Sequence, residues 1–337
     1  MLFLQPPKQQ MAKSIFTILL VAVSMLTGCR SEKAPTKPTI SESEDSLTKV
    51  SLQLNWFPEA EHGGYYTAAL YGYFEEEGLE VEILPGGPNS PVIQQLVSGQ
   101  ADFIVGNADQ VLTSRAKESD AVALLAPLQN SPRCIMVHEE SGIKTLADLK
   151  SMTLGISAGR AFALYMQKHL PMEDIKIVGY PGNPSIFAND QNFGQQAYVF
   201  SEPFIAKTLG ANPRTLMVSD IGYNPYTSLL IATQQRIESE PKLIEKIVRA
   251  SQKGWIHYLK DATKTNEHIH SLNEEMGLEI LAFGAEILQS LCLPDDLSED
   301  QLGKMTLERW TQLRDQLIEI ELIDDTVNPV DAFLPTN

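Results

Sequence analysis

Residues 50–106 read VSLQLNWFPEAEHGGYYTAALYGYFEEEGLEVEILPGGPNSPVIQQLVSGQADFIVG, and the alternation of periods along that stretch decides the fold class. Leu52–Leu54 is a short apolar strand that ends at Asn55-Trp56. Helical spacing follows through Tyr65–Glu77 and stops at Gly78, a residue that takes the left-handed conformation without a Cβ penalty. Glu80–Leu84 is a strand. Ser90 before Pro91 starts a second helix that Gly99 ends, and Ala101–Val105 is a strand again. Strand, helix, strand, helix, strand is an α/β pattern with largely parallel pairing.

The pattern continues toward the C-terminus. A helix over about Ala108–Lys117 is followed by strands at Val122–Leu128 and Ile135–Val137, then by a polar join near Glu139–Gly142. A second set opens with a strand at Thr153–Ile156 and a helix over Phe162–His169. Strands at Ile175–Tyr180 and Ala197–Phe200, a helix over Pro203–Leu209 and a strand at Leu216–Val218 complete it. Thr227–Thr233 is strand-like. From Pro241 to Ile323 the chain reads as helix, with Ile244, Ile247, Val248, Trp255 and Leu259 at helical spacing.

Toward the N-terminus, Ile15–Leu26 is an apolar run of 12 preceded by Lys8 and Lys13. It is too short to span a bilayer comfortably, and with small residues behind it reads as a secretory signal over residues 1–28. Leu26-Thr27-Gly28-Cys29 resembles the lipobox of bacterial lipoproteins, which implies lipidation of Cys29. Arg30–Thr48 has almost no large apolar side chain and reads as a flexible tether, because it cannot bury enough surface to offset its ordering entropy. Cys134 and Cys292 are then expected as two separately buried thiols.

The chain has 337 residues, 43% hydrophobic, and 26 basic against 43 acidic side chains, a formal charge of −17. No dense Lys/Arg cluster offsets that charge, which argues against nucleic-acid binding and against a basic membrane surface. The first 28 residues hold two lysines and no acids, so their removal leaves the chain more acidic still.

Catalytic motifs are sparse. Gly155-Ile156-Ser157-Ala158-Gly159 matches G-x-S-x-G between a strand and a helix. His62-Gly63-Gly64 resembles part of an oxyanion-hole turn, and Asp220 with His257 follows the chain order of a triad, so an exported serine hydrolase with Ser157 as nucleophile is one reading. Any strand leading into a glycine-rich helix start gives the same pattern. None of the six histidines makes H-E-x-x-H, and His268 and His270 lie on different faces of a helix. No metal and no cofactor is expected, and nucleotide-phosphate cradles are absent in their usual form.

A longer set of matches covers about Leu52 to Leu259. Leu54-Asn55-Trp56-Phe57-Pro58, His62-Gly63-Gly64-Tyr65-Tyr66, Gly72-Tyr73-Phe74 and Gly78-Leu79-Glu80-Val81 are joined by Ala101-Asp102-Phe103, Ser201-Glu202-Pro203, Asp220-x-Gly222-Tyr223-x-x-Tyr226 and Lys253-Gly254-Trp255. This set resembles the substrate-binding proteins of bacterial ABC importers for thiamine-pyrimidine precursors, riboflavin, sulfonates and taurine. Hydroxymethylpyrimidine synthase shares that fold. The resemblance implies an α/β, periplasmic-binding-protein-like type II fold, a Venus flytrap of two lobes joined by a two-crossover hinge. Lobe 1 is expected at 49–138 plus 229–325 and lobe 2 at 139–228, with crossovers near Glu139 and Ser228.

On that reading the ligand lies in the cleft, at the carboxyl ends of strands. Asn55 would pair with a ring edge and Trp56 would stack on a flat heterocycle, with core packing the alternative for Trp56. His62 and Tyr65 would close over the same site, unless His62 only caps. Asn107 with Asp109, and Ser157 with Arg160, open a helix in each lobe and present backbone N–H groups; capping alone also explains Asn107 and Ser157. Glu202 resembles a family glutamate that binds a ligand amine, or is a carboxylate favoured by a helix start. Tyr223 and Tyr226 would gate the cleft or pack the hinge.

Departures from the synthase branch are equally specific. Where that branch carries a lysine and a histidine, this chain has Gly106 and Gln110, and no cysteine lies between Cys134 and Cys292. A pyrimidine-synthase activity of the same fold is therefore the weaker alternative. Arg160 and Arg133 are the only obvious cleft cations, so the expected ligand is a neutral or cationic nitrogen heterocycle and not a sulfonate. The expected partners are an ABC permease with its ATPase, and the membrane through the N-terminal lipid of an extracytoplasmic monomer.

Overall fold

A computed structural model describes residues 47–294 and 297–335. The signal segment, Cys29 and most of the tether lie outside the described residues. Thr48 already opens the first strand, so the folded body begins within the last residues assigned to the tether.

The strands are β1 (Thr48–Gln53), β2 (Leu79–Leu84), β3 (Phe103–Gly106), β4 (Ala121–Leu125), β5 (Arg133–His138), β6 (Thr153–Gly155), β7 (Lys176–Val178), β8 (Phe193–Tyr198), β9 (Pro213–Met217) and β10 (Leu229–Thr233). They form two five-stranded sheets, β2-β1-β3-β10-β4 and β7-β6-β8-β5-β9. Each sheet repeats one topology. Its second, first and third strands pair in parallel. A strand arriving from the other sheet then runs antiparallel between the third and the fourth. β3 and the first four residues of β10 are buried, as expected of central strands covered on both faces, and so is the edge strand β4. This is the type II binding-protein architecture, two α/β lobes joined by two crossings.

The helices are α1 (Gly63–Leu70), α2 (Tyr73–Glu76), α3 (Val92–Val97), α4 (Ala108–Arg115), α5 (Ala161–His169), α6 (Ser185–Asn189), α7 (Glu202–Thr208), α8 (Gln234–Ser239), α9 (Pro241–Lys260), α10 (Thr263–Leu272), α11 (Leu278–Cys292) and α12 (Leu307–Glu319). The helix expected over 65–77 is broken at Gly72, which sits at φ 75°, and α2 ends at Gly78, also at φ 75°. α1 lies so close on α9 that a Cβ on Gly254 would come within 2.2 Å of the Gly64 carbonyl oxygen. His62-Gly63-Gly64 is thus half of a helix contact and not an oxyanion turn.

Three expectations are corrected by the sheets. β5 belongs to the second sheet, so the first crossing runs through residues 126–132 and not near Glu139. β8 starts at Phe193, four residues before the expected strand, because Gly194, Gln195 and Gln196 are buried although their types carry no apolar signal. β9 starts at Pro213, which an edge strand tolerates. The two crossing segments run side by side: Leu128 bridges Thr227, and Asn224 accepts from the Ser131 amide at 2.7 Å and donates to Asn130 at 2.9 Å.

Cys134 and Cys292 are both buried and unpaired. Among the described residues no helix is long and apolar enough to cross a membrane.

Candidate functional site

The carboxyl ends of β1 and β3 in one sheet, and of β6, β7 and β8 in the other, supply the polar residues of a single region. On the first-sheet side lies a buried network. Asn55 Oδ1 is 2.9 Å from His62 Nε2, and that nitrogen is 3.2 Å from Glu61 Oε1. Glu61 Oε2 accepts from Ser228 Oγ at 3.1 Å, Tyr65 donates to the Ser228 carbonyl at 3.0 Å, and Asn107 Oδ1 accepts from the Ser228 amide at 3.3 Å. Burial pushes the Glu61 carboxyl upward, but the His62 charge and hydrogen bonds from His62, Asn55 and Ser228 outweigh it and hold the group low. Ser228 closes the return crossing at φ 56°, a left-handed conformation that its three partners hold.

That network places three of the expected residues in the interior. His62 and Tyr65 are wholly buried, and Tyr65 stands edge-on to Trp255 at 5.7 Å between centroids. His62 is bonded to Asn55, and Tyr65 to the Ser228 carbonyl of the return crossing. Tyr226 also turns away: its ring lies 3.8 Å beneath the Arg309 guanidinium, and its hydroxyl accepts from the Thr306 amide at 3.1 Å.

The second-sheet side is built around Arg133 and Glu202. Arg133 heads β5 opposite Tyr198 on β8. Its guanidinium carbon lies 4.1 Å from the Tyr198 ring centroid and 4.9 Å from that of Phe162, each a cation–π contact. Burial opposes its charge, but Tyr198, Glu202 and Tyr180 raise its pKa above the ordinary arginine value. Glu202 leads α7 after Ser201; its Oε1 accepts from Tyr180 at 2.6 Å and its Oε2 from the Tyr198 amide at 2.8 Å.

Glu59 completes the group from the first-sheet side. It is 6% exposed and its carboxyl has no hydrogen-bond partner among the described residues. Burial first, then the charges of Glu61 and Glu202, hold it well above the ordinary glutamate range despite Arg133. Asp109 is likewise raised, by burial acting against Arg160, the Gln110 amide, Arg133 and Tyr223. Tyr223, buried, donates to Asp109 Oδ2 at 3.4 Å.

The remaining expected residues are placed as follows. Trp56 is partly exposed, edge-on to Phe57 at 5.6 Å. Asn107 caps α4 in a reciprocal box with Gln110. The Ser157 amide donates to Gln196 at 2.7 Å, and Arg160 caps α5 in an exposed position. No hydrogen bond or ion pair among the described residues joins Ser157, Asp220 and His257. His257 is bonded to Tyr73 instead, at 2.7 Å. Among the described residues no cluster of three His, Cys, Asp or Glu is placed to hold a metal. Glu59, Tyr180 and Tyr198 join this polar group without having been singled out in the sequence, although an acid near Asn55-Trp56 and tyrosines at strand ends are visible there.

The raised Glu59 carboxyl has a pH signature. A group whose folded pKa exceeds its unfolded value contributes fully below the unfolded value, and that contribution is lost as pH rises through the folded one. Glu59→Gln is therefore expected to melt higher than wild type at pH 8, by on the order of 2–4 °C, with the gap closing near the ordinary glutamate value of about 4.3. A gap that stays constant from pH 4 to 8 in a thermal scan contradicts this placement.

Residues 59–264 match the family model described as NMT1/THI5 like. The formylaminopyrimidine-binding protein of Halalkalibacterium halodurans is 24% identical over 94% of this chain and 96% of its own. The riboflavin-binding protein RibY of Chloroflexus aurantiacus is 23% identical over 95% and 94%. The 4-amino-5-hydroxymethyl-2-methylpyrimidine phosphate synthase THI11 of Saccharomyces cerevisiae is 23% identical over 65% and 69%. Among solved structures, the periplasmic aliphatic sulphonate binding protein SsuA of Escherichia coli superposes with a TM-score of 0.66 at 15% identity, covering 87% of this chain and 94% of that one.

Proposed function

Since the chain belongs to the NMT1/THI5-like family, we propose that it is an extracytoplasmic solute-binding protein of an ABC importer, which captures a small flat nitrogen heterocycle between its lobes and delivers it to a permease. The observation that carries this reading is the composition of the cleft. Glu202 is oriented through both oxygens with lone pairs to spare, Glu59 lies close enough to feel its charge, Tyr180 and Tyr198 are partly exposed beside Glu202, and Trp56 is partly exposed beyond the end of β1. A carboxylate fixed by two donors accepts further charge-assisted hydrogen bonds from a ring amine, and aromatic faces stack on a planar ring. The two full-length relatives named for pyrimidine and flavin ligands support the same ligand class.

The protein performs no chemistry on this reading. Gly106 and Gln110 stand where the synthase branch has its lysine and histidine, and the Gln110 side chain is occupied in accepting from the Asn107 amide at 2.9 Å. Closure is a population shift limited by the ligand's preference for the closed state. Signal cleavage and lipidation at Cys29 would anchor a monomer at the outer face of a membrane.

A thermal-shift panel of aminopyrimidines, riboflavin, taurine, alkanesulfonates, nitrate and polyamines tests the ligand class. At about 100 times Kd, a true ligand stabilises the fold by roughly 2.7 kcal/mol. A shift with an aminopyrimidine or flavin is expected. A shift confined to sulfonates overturns the assignment, and ester turnover abolished by Ser157→Ala overturns binding without chemistry.

A further inference from the structure

Resting on that reading, we infer that Arg309 is a positioning residue of the hinge: it clasps the two crossings together, and through their spacing sets how readily the lobes close on a ligand that it does not touch. The first crossing runs through residues 126–132 and the second through 218–228, between β9 and β10. One guanidinium nitrogen, Arg309 Nη2, donates to the Gln129 carbonyl of the first at 2.6 Å and to the Asn224 carbonyl of the second at 2.9 Å. The face of the same group lies 3.8 Å from the ring of Tyr226, also in the second crossing. Among the described residues, Arg309 is the one side chain outside the crossings that donates to both.

The base of this side chain is rooted in the first lobe. Thr306 caps α12 by accepting from the Arg309 amide, and the neighbouring Trp310 is wholly buried and stacked at 5.6 Å on Phe333, which bridges Ala123 of β4. The first crossing is seated on the same region. Gln129 donates from its side chain to the Ala126 and Lys304 carbonyls, and the Gln129 and Asn130 amides both donate to the Leu291 carbonyl at the end of α11. Arg309 brings the second crossing to that seat with a charged donor, which bonds a carbonyl more strongly than a neutral one does. The lobes also meet away from the crossings, where Phe204 on α7 lies 5.3 Å from Phe283 on α11. The clasp therefore fixes the crossings at the spacing of a conformation in which the lobes touch. Without it more open arrangements are populated, and affinity falls with the fraction of chains left competent to bind.

Calorimetric titration of the whole chain with a formylaminopyrimidine and with riboflavin, paired with small-angle X-ray scattering of the ligand-free chain, tests the clasp. Arg309→Met keeps an apolar stem over Tyr226 and removes the donors. It is expected to bind whichever probe wild type binds roughly 5–50-fold more weakly, the size of a coupling carried by a conformational equilibrium, and to have a larger radius of gyration without ligand. Arg309→Lys keeps the charge and loses the planar fork; it should fall between the two, and it carries the test if circular dichroism shows the Met variant unfolded. Leu313→Ala, one turn further along α12, truncates a buried core side chain and is the stability control. Its melting temperature should drop while its affinity stays within about twofold of wild type. Affinity or radius unchanged from wild type in a folded Arg309 variant, or an equal loss of affinity in Leu313→Ala, overturns the clasp and leaves the parent reading standing. A wild type that binds neither probe overturns the parent reading, and the scattering of the ligand-free chains then decides the clasp alone.

Discussion

Glu202→Gln is expected to lower affinity for an aminopyrimidine or flavin ligand by about 10–100-fold while the chain stays folded. Glu202 Oε1 and Oε2 each accept one bond, from Tyr180 at 2.6 Å and from the Tyr198 amide at 2.8 Å, so the carboxylate plane is fixed before a ligand arrives. An ionised carboxylate offers about four lone-pair positions, which leaves two for a ring amine. Glutamine has the same shape but replaces one acceptor by an NH2 donor, which must then face either the Tyr180 hydroxyl or the Tyr198 N–H. Loss of the charge removes a hydrogen bond of roughly 1.5–3 kcal/mol, and each 1.4 kcal/mol is about tenfold in Kd. Competition binding with a fluorescent flavin reads the change, and far-UV circular dichroism checks the fold. Undiminished affinity would remove Glu202 from the site.

The largest effect on stability is expected at Gly254. A Cβ there meets the Gly64 carbonyl oxygen at 2.2 Å and the Ala68 amide nitrogen at 2.8 Å, both backbone atoms of α1 that cannot rotate away. The partner glycines are equally constrained, since a Cβ on Gly64 would lie 2.1 Å from the Trp255 ring and one on Gly63 2.1 Å from the Tyr258 ring. Trp255, Tyr258 and Tyr65 are among the largest buried side chains, so separating α1 from α9 opens the core. Gly254→Val should cost about 3 kcal/mol, the upper end of overpacking penalties, and lower the melting temperature by on the order of 6–12 °C. Gly277→Ala is the control: nothing lies within 4 Å of its added Cβ, and its φ is −61°. A Gly254→Val protein that melts within about 2 °C of wild type would contradict the close packing of these helices.

The two lobes were largely legible because parallel strands announce themselves as short apolar runs between glycine-stopped helices. The limits had physical causes. Assigning residues 133–138 to the first lobe hid the second sheet's incoming strand, and with it the fact that Arg133 faces Tyr198 and Phe162. A strand's partner across a crossing is a long-range choice that no local period encodes. His62-Gly63-Gly64 and Lys253-Gly254-Trp255 were visible as motifs, yet nothing in either says that it packs on the other. His62 and Tyr65 illustrate the same limit within the site. Their types suit ligand contact, but both are wholly buried and bonded to Asn55 and to the Ser228 carbonyl. That Asn55 and Trp56 follow β1, and Glu202 follows β8, was legible from the apolar runs before them; their part in binding is proposed from that position, because polar side chains converge at the carboxyl edge of such sheets.

The central claim is that one flat nitrogen heterocycle binds between the lobes. Isothermal titration of the chain with a formylaminopyrimidine, and with riboflavin, tests it most directly. The expected result is saturable heat at one ligand per chain for at least one of them. No heat with either, together with saturable heat from an alkanesulfonate, would contradict it.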